Sequence, residues 1–310
     1  MKLHYAKLHG GNFGDDLNPW MWNRLLPGVL NDDNSEVFVG IGTVLNHLLN
    51  HPRGKIVFGT GTGYGDPPKI DERWKIYCVR GPLTADKLGL DPKLAIADAA
   101  YLIRLLQLPA VTKKYKVSFV PHHASVPEVD WADLCLQAGI HYISPTETVD
   151  AFLPELLASE LVIAEAMHGA IIADAYRIPW IPVRYGYRSF DFKWHDWCNS
   201  MGLGYEPVDL PNLLQMPLSG KELMGRIVRR SFAATRLGKS KWRRTPVFQS
   251  SARDIAQAAS LLSELARGSR ATLSLDAVFG NAIERLDASF ADLRKDLRAG
   301  VFSSAGKLLD

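Results

Sequence analysis

The sequence predicts an α/β fold made of two strand–helix series followed by helices. Three observations predict it. Short apolar runs alternate with amphipathic stretches almost from the first residue. Those runs are apolar throughout rather than every second residue, the pattern of parallel strands buried on both faces. The alternation also stops at Leu105–Lys116, with Pro109 and the Lys113–Lys114 pair, and then begins again. A chain of 310 residues stands at the upper edge of what one core serves, so two Rossmann-like units facing a cleft are expected.

In the first series, strands fit Leu3–Leu8, Val37–Ile41, Lys55–Gly59, Lys75–Val79 and Leu94–Ala97, with helices at Pro19–Leu26, Val44–Leu49 and Thr84–Leu88. In the second, strands fit Val117–Pro121, His141–Ser144, Leu161–Ala164 and Trp180–Val183, with helices at Val129–Ala138, Thr148–Leu157 and Gly169–Tyr176. Residues 220–267 read as helices. Beyond them Phe279, Ile283, Leu286, Phe290, Leu293 and Leu297 form a 4-3-4-3-4 seam, which either packs on the body or pairs with a second copy. The units expected are 1–108, 116–215 and a helical extension at 220–310.

Composition narrows the function classes. Apolar residues make up 47% and charged residues 22%, as in ordinary globular proteins. No run approaches the roughly 18 apolar residues of a membrane span. The N-terminal "MKLHYAKLHGG" lacks an apolar h-region, and Cys78, Cys135 and Cys198 are far apart. A reducing, cytoplasmic location is therefore expected, with the cysteines as small core residues. The net charge is only +3, but Lys221–Arg244 holds nine Lys/Arg against Glu222 alone. That block is a solvated helix face, a surface for anionic lipid headgroups or a nucleic-acid patch. No nucleic-acid motif accompanies it.

In open α/β sheets ligands bind beyond the carboxyl ends of the strands, so the loops after strands carry the candidates. After the first strand, "LHGGNFGDDLN" gives Gly10, Gly11 and Gly14 for close backbone approach, Asn12 for a left-handed turn, and Asp15 and Asp16. Either aspartate can cap the next helix or face a ligand. Neither nucleotide fingerprint, GxxxxGK[ST] nor GxGxxG, is satisfied. "GTGTGYGD" presents Gly61 and Thr62 to a ligand or forms a plain turn. Arg80 ends the next strand, where its fork suits a carboxylate or phosphate. Asp98 either binds a hydroxyl or caps a helix. In the second series Glu165 ends a strand, and His168 and Gly169 open the following helix, where amides favour an anion. Arg184, Tyr187, Arg188, Lys193 and His195 read as a basic, aromatic loop. His122 and His123 lack a carboxylate or Cys at ligand spacing, so no metal is expected.

Taken in order, "GGNFGDDLN", "RGP", "AIADAAYL", "VSFVPHH" and "LVIAEAMHGAIIADAYRIPWIPV" resemble the polysaccharide pyruvyltransferase family, over roughly Leu3 to Val183. The nearest flavour is the ketal-forming enzyme of succinoglycan-type exopolysaccharide assembly. The resemblance implies a GT-B-like fold and transfer of the enolpyruvyl unit of phosphoenolpyruvate to two hydroxyls of one sugar. It implies no cofactor and no metal. The family's Arg-Leu-His reads Ala166–Met167–His168 here, so Arg184 or Lys193 can substitute for that cation, with Arg80 the surer anion ligand. On this reading His168 is the general acid or a phosphate ligand, and Asp15 the base or acceptor-orienting group. Asn12, Gly14, Gly61, Thr62, Arg80, Asp98, Glu165, Gly169, Arg184, Tyr187, Arg188 and Lys193 bind substrates.

The expected partners are phosphoenolpyruvate and an oligosaccharide acceptor, which a lipid can carry. Further candidates are the anionic inner face of a membrane and, through the heptads, a second copy; nucleic acid is not expected. Two other readings compete: a GT-B glycosyltransferase using a nucleotide sugar, with Glu165 on the ribose, and a non-catalytic scaffold of polysaccharide assembly.

Overall fold

The computed structural model describes residues 1–310 apart from 51, 187–189, 234–239, 269 and 310. Two parallel sheets are present. The first contains β1 (Lys2–His4), β2 (Glu36–Val39), β3 (Gly54–Thr60) and β4 (Trp74–Val79), in that order. The second contains β5 (Ser118–Val120), β6 (His141–Tyr142), β7 (Val162–Ala164), β8 (Trp180–Arg184) and β9 (Val208–Asp209), in the order β6-β5-β7-β8-β9. Every pairing between named strands is parallel, as the strand–helix alternation predicts.

The helices are α1 (Phe13–Leu25), α2 (Pro82–Leu88), α3 (Trp131–Ala138), α4 (Val149–Leu157), α5 (Met167–Ala175), α6 (Asp191–Ser200), α7 (Gly220–Phe232), α8 (Ala252–Leu265) and α9 (Asp276–Arg298). Several differ from expectation. Helix α1 begins at Phe13 rather than Pro19, so Asp15 and Asp16 lie in its first turn, where carboxylates complement the helix dipole. Pro19 is tolerated inside because the Asn18 side-chain amide donates to the Asp15 carbonyl at 3.1 Å, the carbonyl that Pro19 leaves unpaired.

Residues 44–49 are not an α-helix. Leu45 bridges to Thr62, and a 3₁₀ turn covers His47–Leu49, where the Asn46 side chain accepts the Leu48 amide. Leu94–Ala97 is not a strand. Asp91 caps a 3₁₀ turn at Pro92–Leu94, which leaves one bridge, Val79 to Ala95. The expected loop through Lys193 and His195 closes into α6, because Trp194, Trp197 and Cys198 are buried at helical spacing.

The two sheets share one hydrophobic cluster, which takes Phe13, Trp22 and Phe58 from the first half and Phe152, Ile171 and Trp180 from the second. Phe13 stacks on Phe152 with ring centroids 3.8 Å apart. The heptad-like seam belongs to this cluster too: Phe279, Leu286, Phe290, Leu293 and Leu297 are buried on α9, and Phe290 meets Trp22 and Phe58. Pairing with a second copy through the seam is thereby corrected. Burial against the first sheet removes the same apolar surface from water that a coiled coil would.

Candidate active site

Helix α1 of the first half packs against α5 of the second. Asn12 caps α1 by position, and its side-chain amide donates to Asp15 Oδ2 at 2.6 Å while its backbone amide donates to Asp16 Oδ2 at 3.0 Å. Asn18 fixes the helix to the end of β2 by exchanging two hydrogen bonds with the Ile41 backbone. Gly14 faces His168 so closely that a Cβ there would lie 2.1 Å from His168 Nδ1. No other residue permits that approach.

His168 is the second residue of α5. Its Nε2 lies 3.9 Å from Asp98 Oδ2, with side chains 12% and 0% exposed. Among the described residues neither of these two atoms has a hydrogen-bond partner. Asp98 Oδ1 accepts the Ala100 amide, so Asp98 caps the 3₁₀ segment Ala99–Leu105 and turns its other oxygen to the imidazole. Of the two sequence readings of Asp98, the cap is the one this geometry shows. Such an unpartnered buried pair is costly unless a ligand group or water joins it.

Burial sets the protonation states. It lowers the His168 pKa to about 3, with help from the positive charges of Lys193 and Arg80. It raises Asp98 to about 6 against the pull of Arg80, and Glu165 to about 7. The Asp15 carboxyl also moves up through burial, opposed by its Asn12 hydrogen bond and by Lys193. Glu165 Oε2 accepts from the His122 amide and the Ser125 hydroxyl, each at 2.7 Å. At neutral pH the site thus holds a neutral imidazole, while burial holds the Asp98 and Glu165 carboxyls above the usual carboxylate range.

The expected cations divide. Arg80 is fully buried and spoken for: Nε donates to Asp196 Oδ2 at 3.0 Å, and the remaining nitrogens to Gly42, Thr43 and Thr62 oxygens. Asp196 on α6 also accepts from the Thr84 amide and hydroxyl, so this pair ties the end of β4 to the second half. Gly61 exists for Arg80, since a Cβ there would lie 2.2 Å from its guanidinium. The Thr62 amide donates to Thr84. Arg184 holds Asp209 and Asp191.

Lys193 has no ion-pair partner among the described residues, and its charge reaches Asp15, Glu165 and His168. Gly169 packs on Val120. Tyr187 and Arg188 lie outside the described residues.

A pocket continues from Lys193 between β5, β7 and β8, lined by His122, Ser125, Glu165, Arg184, Phe190 and Tyr205 among others. Sequence reasoning missed Asp196, Ser125, Phe190 and Tyr205 and weighed His122 only as a metal ligand. Ser125 follows a strand end and was open to the same rule that found Glu165. Asp196 and Tyr205 carry no such signal, because their place depends on how α6 docks. Among the described residues no cluster of three His, Cys, Asp or Glu could hold a metal ion.

Residues 7–187 match the family described as polysaccharide pyruvyl transferase. That span includes Asp15, Asp98, Glu165 and His168 and ends before Lys193. The chain is 43% identical over 215 residues to the succinoglycan biosynthesis protein ExoV of Rhizobium meliloti (strain 1021), covering 68% of each. Among solved structures, the wall teichoic acid polymerase TagF aligns with 76% of this chain and 71% of its own at 13% identity and a TM-score of 0.28. That likeness is too slight to place any residue.

Proposed function

The chain belongs to the polysaccharide pyruvyl transferase family, and from that premise we propose that it transfers the pyruvyl unit of phosphoenolpyruvate to a sugar of an exopolysaccharide repeat unit. The product is a cyclic pyruvate ketal. The observation that carries the reading is the convergence of the halves at His168, which meets Asp98 and faces Gly14, with Asp15, Glu165 and His168 in reach of the charge of Lys193, a cation without an ion-pair partner among the described residues. Phosphoenolpyruvate brings a carboxylate and a phosphate, and the amides opening α5 together with Lys193 suit such an anion.

The reaction needs a proton on the methylene carbon of the enol phosphate, which leaves positive charge on the adjacent carbon. One sugar hydroxyl attacks that carbon, and phosphate departs. The second hydroxyl then closes the ketal ring. Of the two hydroxyl protons lost, one balances the proton gained by the new methyl group and the other leaves with phosphate. A neutral imidazole at pH 7 is a poor source of the first proton, whereas burial lets Glu165 hold its proton up to about pH 7. In this reading Glu165 is the general acid, His168 donates a hydrogen bond to the phosphate, and Asp15 takes the acceptor's proton. Burial raises the Asp15 pKa and so strengthens it as a base.

The sheets of residues 1–108 and 116–215 are the two walls of a GT-B-like cleft. The helices of 220–310 fasten them: α8 packs on α3, and α9 on β4. Neither cofactor nor metal enters this chemistry.

Incubation with phosphoenolpyruvate and candidate oligosaccharides tests the proposal. Mass spectrometry should show the gain of one ketal-linked pyruvate, with equimolar, acceptor-dependent phosphate release. Thermal stabilisation by UDP- or GDP-sugars and not by phosphoenolpyruvate, with glycosyl transfer, would overturn it. His168→Ala should abolish ketal formation with the fold intact, and near-normal turnover would remove His168 from the mechanism. Asp15→Asn should lower kcat by about 100-fold or more while leaving phosphoenolpyruvate titrations little changed.

A further inference from the structure

Helix α7 is inside out. Its buried residue is a cation, Arg226, whose guanidinium pairs with Glu128 at 2.8 Å and also donates to the Pro246 carbonyl. Its large apolar side chains point the other way: Leu223, Met224, Ile227 and Val228 are 37%, 63%, 44% and 46% exposed. At 100° per residue these four occupy one continuous arc of about 140°, centred about 130° from Arg226. Lys221 and Arg230, both exposed, flank the two edges of that arc. An amphipathic helix packed on a protein body normally turns its apolar arc inward, and this one turns it to solvent.

The helix is well fastened in that orientation. Ser219 and Glu222 form a reciprocal capping box at its start, and Arg243 donates to the Ala233 carbonyl at its end. The basic block read from the sequence is therefore divided in purpose. Arg226, Arg243 and Arg244 bind within the protein, Arg244 to Asp209. Lys221 and Arg230 remain at the surface beside the apolar arc.

We propose that α7 is a membrane-docking helix that lies in the headgroup region of an anionic bilayer. Its exposed apolar arc enters the interface, and its flanking cations meet lipid phosphates. Charge complementarity selects this occupant: an apolar arc edged by cations matches an anionic interface. Among the described residues no helix is long and apolar enough to cross a membrane, so the contact is peripheral. Docking of this kind does not depend on pyruvyl transfer and stands or falls separately from it.

The test is flotation of the full chain with vesicles of phosphatidylcholine, with and without phosphatidylglycerol. Binding is expected only with the anionic lipid, weakened by salt. Met224→Gln with Ile227→Gln should reduce binding by about tenfold or more, since apolar insertion drives it. Lys221→Gln with Arg230→Gln should reduce it and remove its salt dependence. Thermal melts of these surface variants should match the parent, and ketal formation on a soluble acceptor should be unchanged. A Met224→Cys variant carrying an environment-sensitive dye, selective because Cys78, Cys135 and Cys198 are buried, should shift to shorter wavelength on anionic vesicles. Equal binding by parent and variants, no binding to either vesicle, or a solution dimer abolished by the same Met224 and Ile227 changes would overturn the proposal.

Discussion

Glu165 and His168 flank the turn from β7 to α5, and burial moves their protons in opposite directions. The carboxyl keeps its proton to about pH 7, while the imidazole gives its up well below neutrality. If Glu165 supplies the proton, kcat/KM for phosphoenolpyruvate should fall as pH rises through about 7, and Glu165→Gln should abolish the pH limb with the activity. A linked stability effect has a definite sign. The Glu165 pKa is raised on folding, so its contribution is fully present below the unfolded value and is lost as pH rises through 7. Glu165→Gln should therefore raise Tm relative to the parent more at about pH 8 than at about pH 5. An equal difference at both pH values would show that the group is not buried as a neutral acid. Both residues were legible in the sequence through the rule that strand ends carry function. Their protonation was not, because desolvation depends on what the rest of the chain lays over them.

At the scale of elements, α1 shows how a short motif changes meaning when its helix is extended. Read as a loop, "GGNFGDDLN" leaves Asp15 and Asp16 as caps or ligands; read as the first turn of α1, it places Gly14 against His168. Gly14→Ala would drive a methyl group into the imidazole, and an ångström-scale displacement of a reacting group costs about 100-fold in rate. We expect a loss of that order with a small change in Tm. In a His168→Ala background the same change should alter Tm by nothing measurable, since the clash is gone. A full Gly14→Ala stability loss persisting without His168 would locate the clash elsewhere. Helix α6 carries the opposite lesson. Its tryptophans at helical spacing were present in the sequence, but the cations and aromatics around them read more readily as a binding loop.

For the molecule as a whole, α9 decides the architecture. A seam at heptad spacing is equally suited to a partner helix and to a groove on the protein's own body, because both bury the same side chains. Here it fills the groove beside Trp22 and Phe58, and the core runs unbroken into the second half. Leu286, fully buried, tests this: Leu286→Ala should cost about 2–5 kcal/mol. Far-UV dichroism and tryptophan fluorescence should then shift to one lower common midpoint. Separate melting of the two halves, with only one affected, would show that they do not share a core.

The sequence by itself determined the α/β class, the two parallel sheets, the strand-end positions of Glu165 and Arg80, the start of a helix at His168, and the resemblance to a family. These are local properties, fixed by periodicity, by residue type and by the rule that strands end at function. Only the tertiary structure decided which cation is committed and which lacks an ion-pair partner among the described residues. Arg80 and Lys193 are alike as positive charges in a sequence, yet Asp196 arrives from 116 positions away to neutralise one of them, and among the described residues no carboxylate forms an ion pair with the other. Partner choice among charges is set by long-range packing and its desolvation, and neither is written in the spacing of neighbouring residues.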